Sequence, residues 1–436
     1  MRRSFVVHAL ALPALAVALL AGAAGVSGLA GAPTAAAASP AANEYHGVTP
    51  RRYLDTRPGE ATFDGAFGGN GRMAGNAGVV ALAVGGRGEI PADAVAVALN
   101  VTATDATANG YVTVWPCNAK IPTASNLNYT RGQTVANAVI SGADFEGRIC
   151  LYAKAPVHVV VDVVGYFPAT STYRPLVPQR LHDSRFGPCN GAWNSSEVAG
   201  FAYPLYAADA EPECTSPYPD GPIEVPADAE AAVLNLTAVT TAGAGYIATR
   251  DCQDKTGLPR TSTVNFDRAG QVLPNLAVAP ITNIPDDPGS MCFDQKASGH
   301  FVIDAFGYFP AGSGYTAANP VRLVDTRPTG TTVDGIDART DRLGRFAERA
   351  FSIAGRNGGA IPSVGAAVVN VTVTGADQAG WVALYPCGTE PSTSTINYGA
   401  GRTLSNAAFV TPGAGGQVCY QASQPVHVIV DLAGWF

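Results

Sequence analysis

The sequence predicts an all-β chain of three tandem antiparallel β-sandwich modules, jelly-roll-like and each closed by one internal disulfide. Three observations carry that expectation. The string PVHVVVDVVGYF at 156–167 returns as SGHFVIDAFGYF at 298–309 and PVHVIVDLAGWF at 425–436. Short apolar runs alternate with polar residues at period two between Gly and Pro turns, with no amphipathic helical run after the leader. Six of the eight cysteines recur at equivalent places in the three copies.

The chain opens with Met1-Arg2-Arg3, an apolar run from Phe5 to Leu20 and Ala36-x-Ala38, which reads as a secretory signal peptide over residues 1–38. Repeat one then covers 47–168, repeat two 173–310 and repeat three 315–436, with joints of five residues at Pro168–Thr172 and Pro310–Gly314. Such short joints hold the repeats against one another, as a row or a pseudo-threefold cluster.

Each repeat begins with an acidic-hydroxyl-basic triplet: Asp55-Thr56-Arg57, Asp183-Ser184-Arg185 and Asp325-Thr326-Arg327. A divergent Gly/Pro/Asp-rich loop follows, where specificity is expected to reside. The next signature strand, around Val95–Thr104, turns Val97, Leu99 and Val101 one way and Ala98, Asn100 and Thr102 the other. Asn235 with Thr237 and Asn370 with Thr372 repeat the pattern. Then come a Ser-x-x-Asn element (Ser125 and Asn128, Ser262 and Asn265, Ser394 and Asn397) and a lone Asn (Asn137, Asn275, Asn406). The closing strand sets His158 and Asp162 on one face, opposite Val159, Val161 and Val163; its counterparts are His300 with Asp304 and His427 with Asp431.

Eight cysteines in an exported chain predict disulfides. Equivalent positions pair Cys117 with Cys150, Cys252 with Cys292 and Cys387 with Cys419, leaving Cys189 to pair with Cys214 in an insertion unique to repeat two. No close Cys pair fits a zinc site. The formal charge is −7, or −9 once Arg2 and Arg3 leave with the leader, and no basic stripe follows, which argues against nucleic acid and anionic membranes. No later run is apolar enough to span a bilayer as a helix. Only four of the 27 basic residues are Lys in an Ala- and Gly-rich chain, which points to a high-GC bacterial source.

The ordered set D-T-R, V-P-A-D-A-x-A-V-x-L-N-V-T, S-x-L-N-Y, A-N and H-V-x-V-D-x-x-G-Y-F resembles a tandem repeat of exported proteins from high-GC Gram-positive bacteria. The resemblance covers nearly the whole chain after the leader. It implies an accessory, extracellular or wall-associated role and brings no established activity. Repeat two departs from it at His182, Ser184 and Pro274 and in the Cys189/Cys214 insertion, so its binding is expected to differ.

Catalysis is not expected. His158 and Asp162 lie about 13 Å apart along a strand at roughly 3.3 Å per residue, too far to form a dyad, and no nucleophile elbow accompanies any Ser. Calcium is a weak alternative: Asp55 with Asp64 and Asp325 with Asp334 offer two carboxylates where the ion takes six to eight oxygens. No cofactor or metal is expected. Two readings of the polar set remain open. In one it is a structural network, with Arg57 paired to Asp162; in the other a shallow glycan face, with Trp115, Tyr129 and Tyr398 as platforms and three copies giving avidity. The functional expectation is a secreted, non-catalytic protein binding cell-wall or extracellular polysaccharide through repeated weak sites. A structural or protein-interaction module without a glycan site is the alternative, and a hydrolase the third. Whether the polar face is open or covered by a neighbouring repeat separates the first two.

Overall fold

In the signature strands, β-branched residues supply the extended backbone and alternation supplies two distinct faces. The computed structural model describes residues 44–76, 78–185, 202–206, 225–254, 261–284, 287–389 and 393–436. The leader, Cys189, Trp193 and Cys214 lie outside the described residues.

Repeat one contains β1 (His46–Asp55), β2 (Val80–Ala83), β3 (Ala96–Thr104), β4 (Gly110–Pro116), β5 (Leu127–Tyr129), β6 (Val135–Gly142), β7 (Arg148–Ala153) and β8 (His158–Phe167). Repeat two contains β9 (Arg174–Asp183), β10 (Ala202–Tyr206), β11 (Ala231–Val239), β12 (Gly245–Arg250), β13 (Val264–Phe266), β14 (Val272–Pro280), β15 (Thr282–Ile284), β16 (Asp287–Gln295) and β17 (His300–Phe309). Repeat three contains β18 (Thr316–Asp325), β19 (Glu348–Ser352), β20 (Ala367–Thr374), β21 (Gly380–Pro386), β22 (Ile396–Tyr398), β23 (Leu404–Val410), β24 (Gln417–Ala422) and β25 (His427–Trp435).

Every repeat yields two antiparallel sheets. One holds the signature strands, in the orders β1-β8-β3-β6, β9-β17-β11-β14 and β18-β25-β20-β23. The other holds the cysteines, in the orders β2-β7-β4-β5, β10-β16-β12-β13 (with β15 added on β16) and β19-β24-β21-β22. The disulfides Cys117–Cys150, Cys252–Cys292 and Cys387–Cys419 lie where the sequence pairs them. Each ties the end of one strand to its hydrogen-bonded neighbour. Among the described residues no helix is long and apolar enough to cross a membrane.

The expectation of three sandwich modules needs correction. The six small sheets are arranged like the blades of a propeller, and each signature sheet is covered on both faces. In repeat one, Val97, Leu99, Val101, Val161 and Val163 pack inward on Val112, Val114 and Leu151 of the cysteine sheet. The other face meets the next repeat. Strands β21 and β22 contact β1 and β6, β4 and β5 contact β9 and β14, and β12 and β13 contact β18 and β23. The ring closes, so residues 39–436 form one unit rather than three beads.

Six aromatic rings line the axis. Neighbouring centroids along Tyr45–Phe167–Tyr173–Phe309–Tyr315–Phe436 are 5.2, 4.5, 5.0, 4.5 and 5.0 Å apart, and Tyr45 closes on Phe436 at 5.2 Å. Gly165, Gly307 and Gly434 make room for this ring. A Cβ on any of them would fall within 2.2 Å of the hydroxyl of Tyr45, Tyr173 or Tyr315. Those hydroxyls donate to the carbonyls of Val164, Phe306 and Ala433, each at 3.2 Å. Tyr45 thus packs with repeat one just ahead of β1.

Candidate functional site: the polar layer between repeats

The asparagines of the signature strands meet across repeat boundaries. Asn137 Nδ2 donates to Asn235 Oδ1 at 2.9 Å, Asn275 Nδ2 to Asn370 Oδ1 at 2.7 Å, and Asn406 Nδ2 to Asn100 Oδ1 at 2.9 Å. Repeat one thus donates to two, two to three, and three to one. The return bonds run the other way: the Leu276, Ala407 and Ala138 amides donate to the Oδ1 atoms of Asn137, Asn275 and Asn406 at 3.2, 2.8 and 2.8 Å. All six asparagines are buried.

The Ser-x-x-Asn elements complete this layer. Asn235 Nδ2 donates to the Ser125 carbonyl and Asn100 Nδ2 to the Ser394 carbonyl, both at 2.6 Å, and Asn370 Nδ2 donates to the Ser262 carbonyl. Asn128, Asn265 and Asn397 reach back to the Ser125, Ser262 and Ser394 hydroxyls at 3.2, 2.8 and 3.0 Å. Asn265 also donates to Thr372 of the next repeat at 3.1 Å. Buried amides need such partners, since an orphaned one costs about 1–3 kcal/mol. Thr102 is buried in the same layer.

The triplet and the His/Asp strand form a second cluster within each repeat. Arg57 clamps Asp55 through Nε at 3.0 Å and Nη2 at 2.7 Å. Arg185 grips Asp183 in the same way, as Arg327 grips Asp325. The partner of Asp162 is Arg52, not Arg57: Nε donates to Asp162 at 3.0 Å and Nη1 to Asp55 at 3.0 Å. Arg180 bridges Asp183 and Asp304, and Arg322 bridges Asp325 and Asp431. This arginine recurs three residues before the triplet acid, a signal present in the sequence and overlooked. The hydroxyls of Thr56, Ser184 and Thr326 sit 3.2, 3.1 and 3.3 Å from Nδ1 of His158, His300 and His427. The same hydroxyls accept the amides of Val159, Phe301 and Val428 at 2.8, 2.9 and 2.8 Å.

Burial sets the electrostatics. Desolvation pushes the Asp162 and Asp304 carboxyls up to about 6 and raises Asp431, against the pull of their arginines. Desolvation acts on Asp55, Asp183 and Asp325 as well, but hydrogen bonds from Arg57, Arg185 and Arg327 outweigh it and hold them below the usual carboxylate range. Burial also lowers His158.

Several expectations change on this geometry. The polar face is covered by the neighbouring repeat. Trp115, Tyr129 and Tyr398 are buried and offer no platform. Asp64 and Asp334 are held by Arg87 and Arg356, so they do not join Asp55 and Asp325 in a calcium shell. No group of three or more metal-ligating side chains occurs among the described residues. Repeat two keeps the full network despite Ser184 and Pro274. The sequence reading also missed Tyr45, Tyr173 and Tyr315 as axis closers.

No family model and no curated protein matches the chain. Among solved structures it is similar to a chain from the triple jelly-roll fold and turret assembly of an archaeal virus, at 11% identity over 90% of both chains with a TM-score of 0.18. A structure of Sulfolobus turreted icosahedral virus matches at 9% identity over 90% of this chain and 92% of that one, TM-score 0.20. The tandem CBM22 domains of Paenibacillus barcinonensis Xyn10C match at 10% identity over 47% and 79%, TM-score 0.16.

Proposed function

We propose that the chain is an exported, non-catalytic protein of the cell envelope that holds an extracellular polysaccharide or related polymer with its non-repeated loops. Its repeated polar residues fasten the repeats to one another. Each pair of sheets is read as one jelly-roll-like sandwich, three of them joined in a ring, and the likeness to the tandem repeat of high-GC Gram-positive bacteria belongs to the same proposal. The observation that carries this reading is the closed asparagine ring: its amide groups are spent between repeats, which leaves recognition to the divergent loops. The non-catalytic part is supported by the burial of Thr56 and His158, with the Thr56 hydroxyl oxygen already accepting the Val159 amide, and by Ser125 bonding Asn128 rather than a His.

Co-sedimentation of residues 39–436 with isolated cell wall and insoluble polysaccharides tests it. Retention is expected. If nothing is retained, the protein is a structural or protein-interaction module without a glycan site.

A further inference from the structure

The three bridging arginines are not equivalent. Arg322 uses Nε and Nη2 on Asp431 at 2.8 and 3.1 Å, and Arg180 likewise grips Asp304 with Nε and Nη2. Arg52 spends Nε on Asp162 and Nη1 on Asp55, and its Nη2 makes no hydrogen bond among the described residues. Its side chain is 25% exposed, against 11% for Arg180 and 12% for Arg322.

That arginine lines an open groove of about 450 Å³ with Thr49, Pro50, Arg51, Thr62 and Phe63. Arg51 stands 5.8 Å over the Phe63 ring, and its Nη2 already carries a carboxylate, that of half-exposed Glu89 at 3.3 Å. Strand register sets Gln179 and Val321 where repeats two and three would need Arg51. Val333, whose amide bonds Arg322 as that of Phe63 bonds Arg52, replaces the aromatic ring in repeat three.

The geometry points to an oxyanion-binding site in repeat one, in which Arg51 and Arg52 Nη2 take a carboxylate or phosphate borne by an extracellular polymer and Phe63 packs on its carbon skeleton. Guanidinium forks match such groups, and an apolar wall beside them selects an anion carried on an organic frame. Glu89 is the internal occupant that the ligand displaces. This site deepens the polymer-binding reading and rests on it.

Calorimetric titration of the purified full chain at low salt, with hexagalacturonate and separately with short-chain polyphosphate, tests the site. Saturable one-to-one binding of either anion is expected, and the anion that binds identifies the source. Neutral maltohexaose should not bind. Arg51→Ala should weaken binding at least tenfold, and Glu89→Gln should tighten it a few-fold. Arg342→Ala, a surface arginine paired with exposed Asp377, should leave it unchanged. Absence of binding by both anions at millimolar concentration overturns the site, as does equal weakening by Arg51→Ala and Arg342→Ala. Cell-wall retention undiminished by Arg51→Ala would overturn the site as the polymer contact while leaving the envelope reading intact.

Discussion

Between the repeats the six asparagines make the same bonds at all three boundaries, whereas the loops after the first strands of repeats one and three share a bonding frame and one Arg–Asp pair but differ in the side chains set around it. Asn100, Asn235 and Asn370 sit in near-identical surroundings. In the loops, Arg87 binds Asp64 and the Tyr53 carbonyl as Arg356 binds Asp334 and the Leu323 carbonyl, but Arg87 also stacks over Tyr53, Phe63 and Phe67, where repeat three carries Leu323, Val333 and Asp337. The repeated layer answers to the neighbouring repeat and must keep matching donors and acceptors. The loops keep a bonded frame around Arg87 and Arg356 and vary in the residues set on its solvent side. Repetition here marks an internal interface, and divergence marks the surface that can recognise something else.

The largest expected effect comes from the axis. Phe309→Ala should cost about 3–5 kcal/mol in urea unfolding, whereas Phe145→Ala, at a loop tip where the ring is 97% exposed, should stay within about 0.5 kcal/mol. Similar losses for both would erase the distinction between layers. Arg322→Ala should be comparably severe, about 3–5 kcal/mol, because it removes the ion-pair partner of buried Asp431, while Asp325 keeps Arg327. A loss under about 1 kcal/mol there would mean that the carboxylates find other partners.

The two carboxylates on each bridging arginine also predict opposite pH slopes. Asp162 and Asp304 are pushed up in the folded protein, so their stabilising contribution is present below the unfolded value of about 4 and is lost as pH rises through about 6. Asp55, Asp183 and Asp325 are held down, so their contribution is present above about 4 and lost as pH falls further. Urea midpoints should therefore decline from about pH 4.5 to 6.5 and also below about pH 4. Asp304→Asn should lessen the first slope, leaving the share of Asp162, and keep the second. An unchanged first slope in that variant would remove the buried acids as its cause. The smallest effect is reserved for the loops: Asp64→Asn breaks the pair with Arg87 and should cost no more than about 1 kcal/mol. A larger loss would make that loop part of the fold's foundation.

Much of the fold was legible because strand periodicity and repeated cysteines are local signals. Val97, Leu99 and Val101 face the core as alternation requires, and three disulfides join the cysteines paired by position. The repeated polar residues stood out as well, since a polar residue recurring on an apolar strand is conspicuous. Their role was not legible. Alternation shows that Asn100 and Asp162 leave the core of their own repeat, but burial by a sheet more than 200 residues away depends on how the ring closes. The Arg57–Asp162 pairing failed for a related reason: Arg57 turns back on Asp55 within its own turn, and Arg52, opposite Asp162 in the strand register, takes its place. The tyrosines at 45, 173 and 315 were passed over because each stands just before a strand, where a single aromatic carries no periodic signal.

A double-mutant cycle on Asn137 and Asn235 tests the inter-repeat fastening most directly. These side chains belong to different repeats and are joined by one buried 2.9 Å hydrogen bond. If the repeated polar set fastens the repeats, Asn137→Ala and Asn235→Ala will each destabilise the chain and the pair will be non-additive, with a coupling of about 1 kcal/mol in urea unfolding. Additivity within about 0.3 kcal/mol, with both single variants near wild-type stability, would contradict that account.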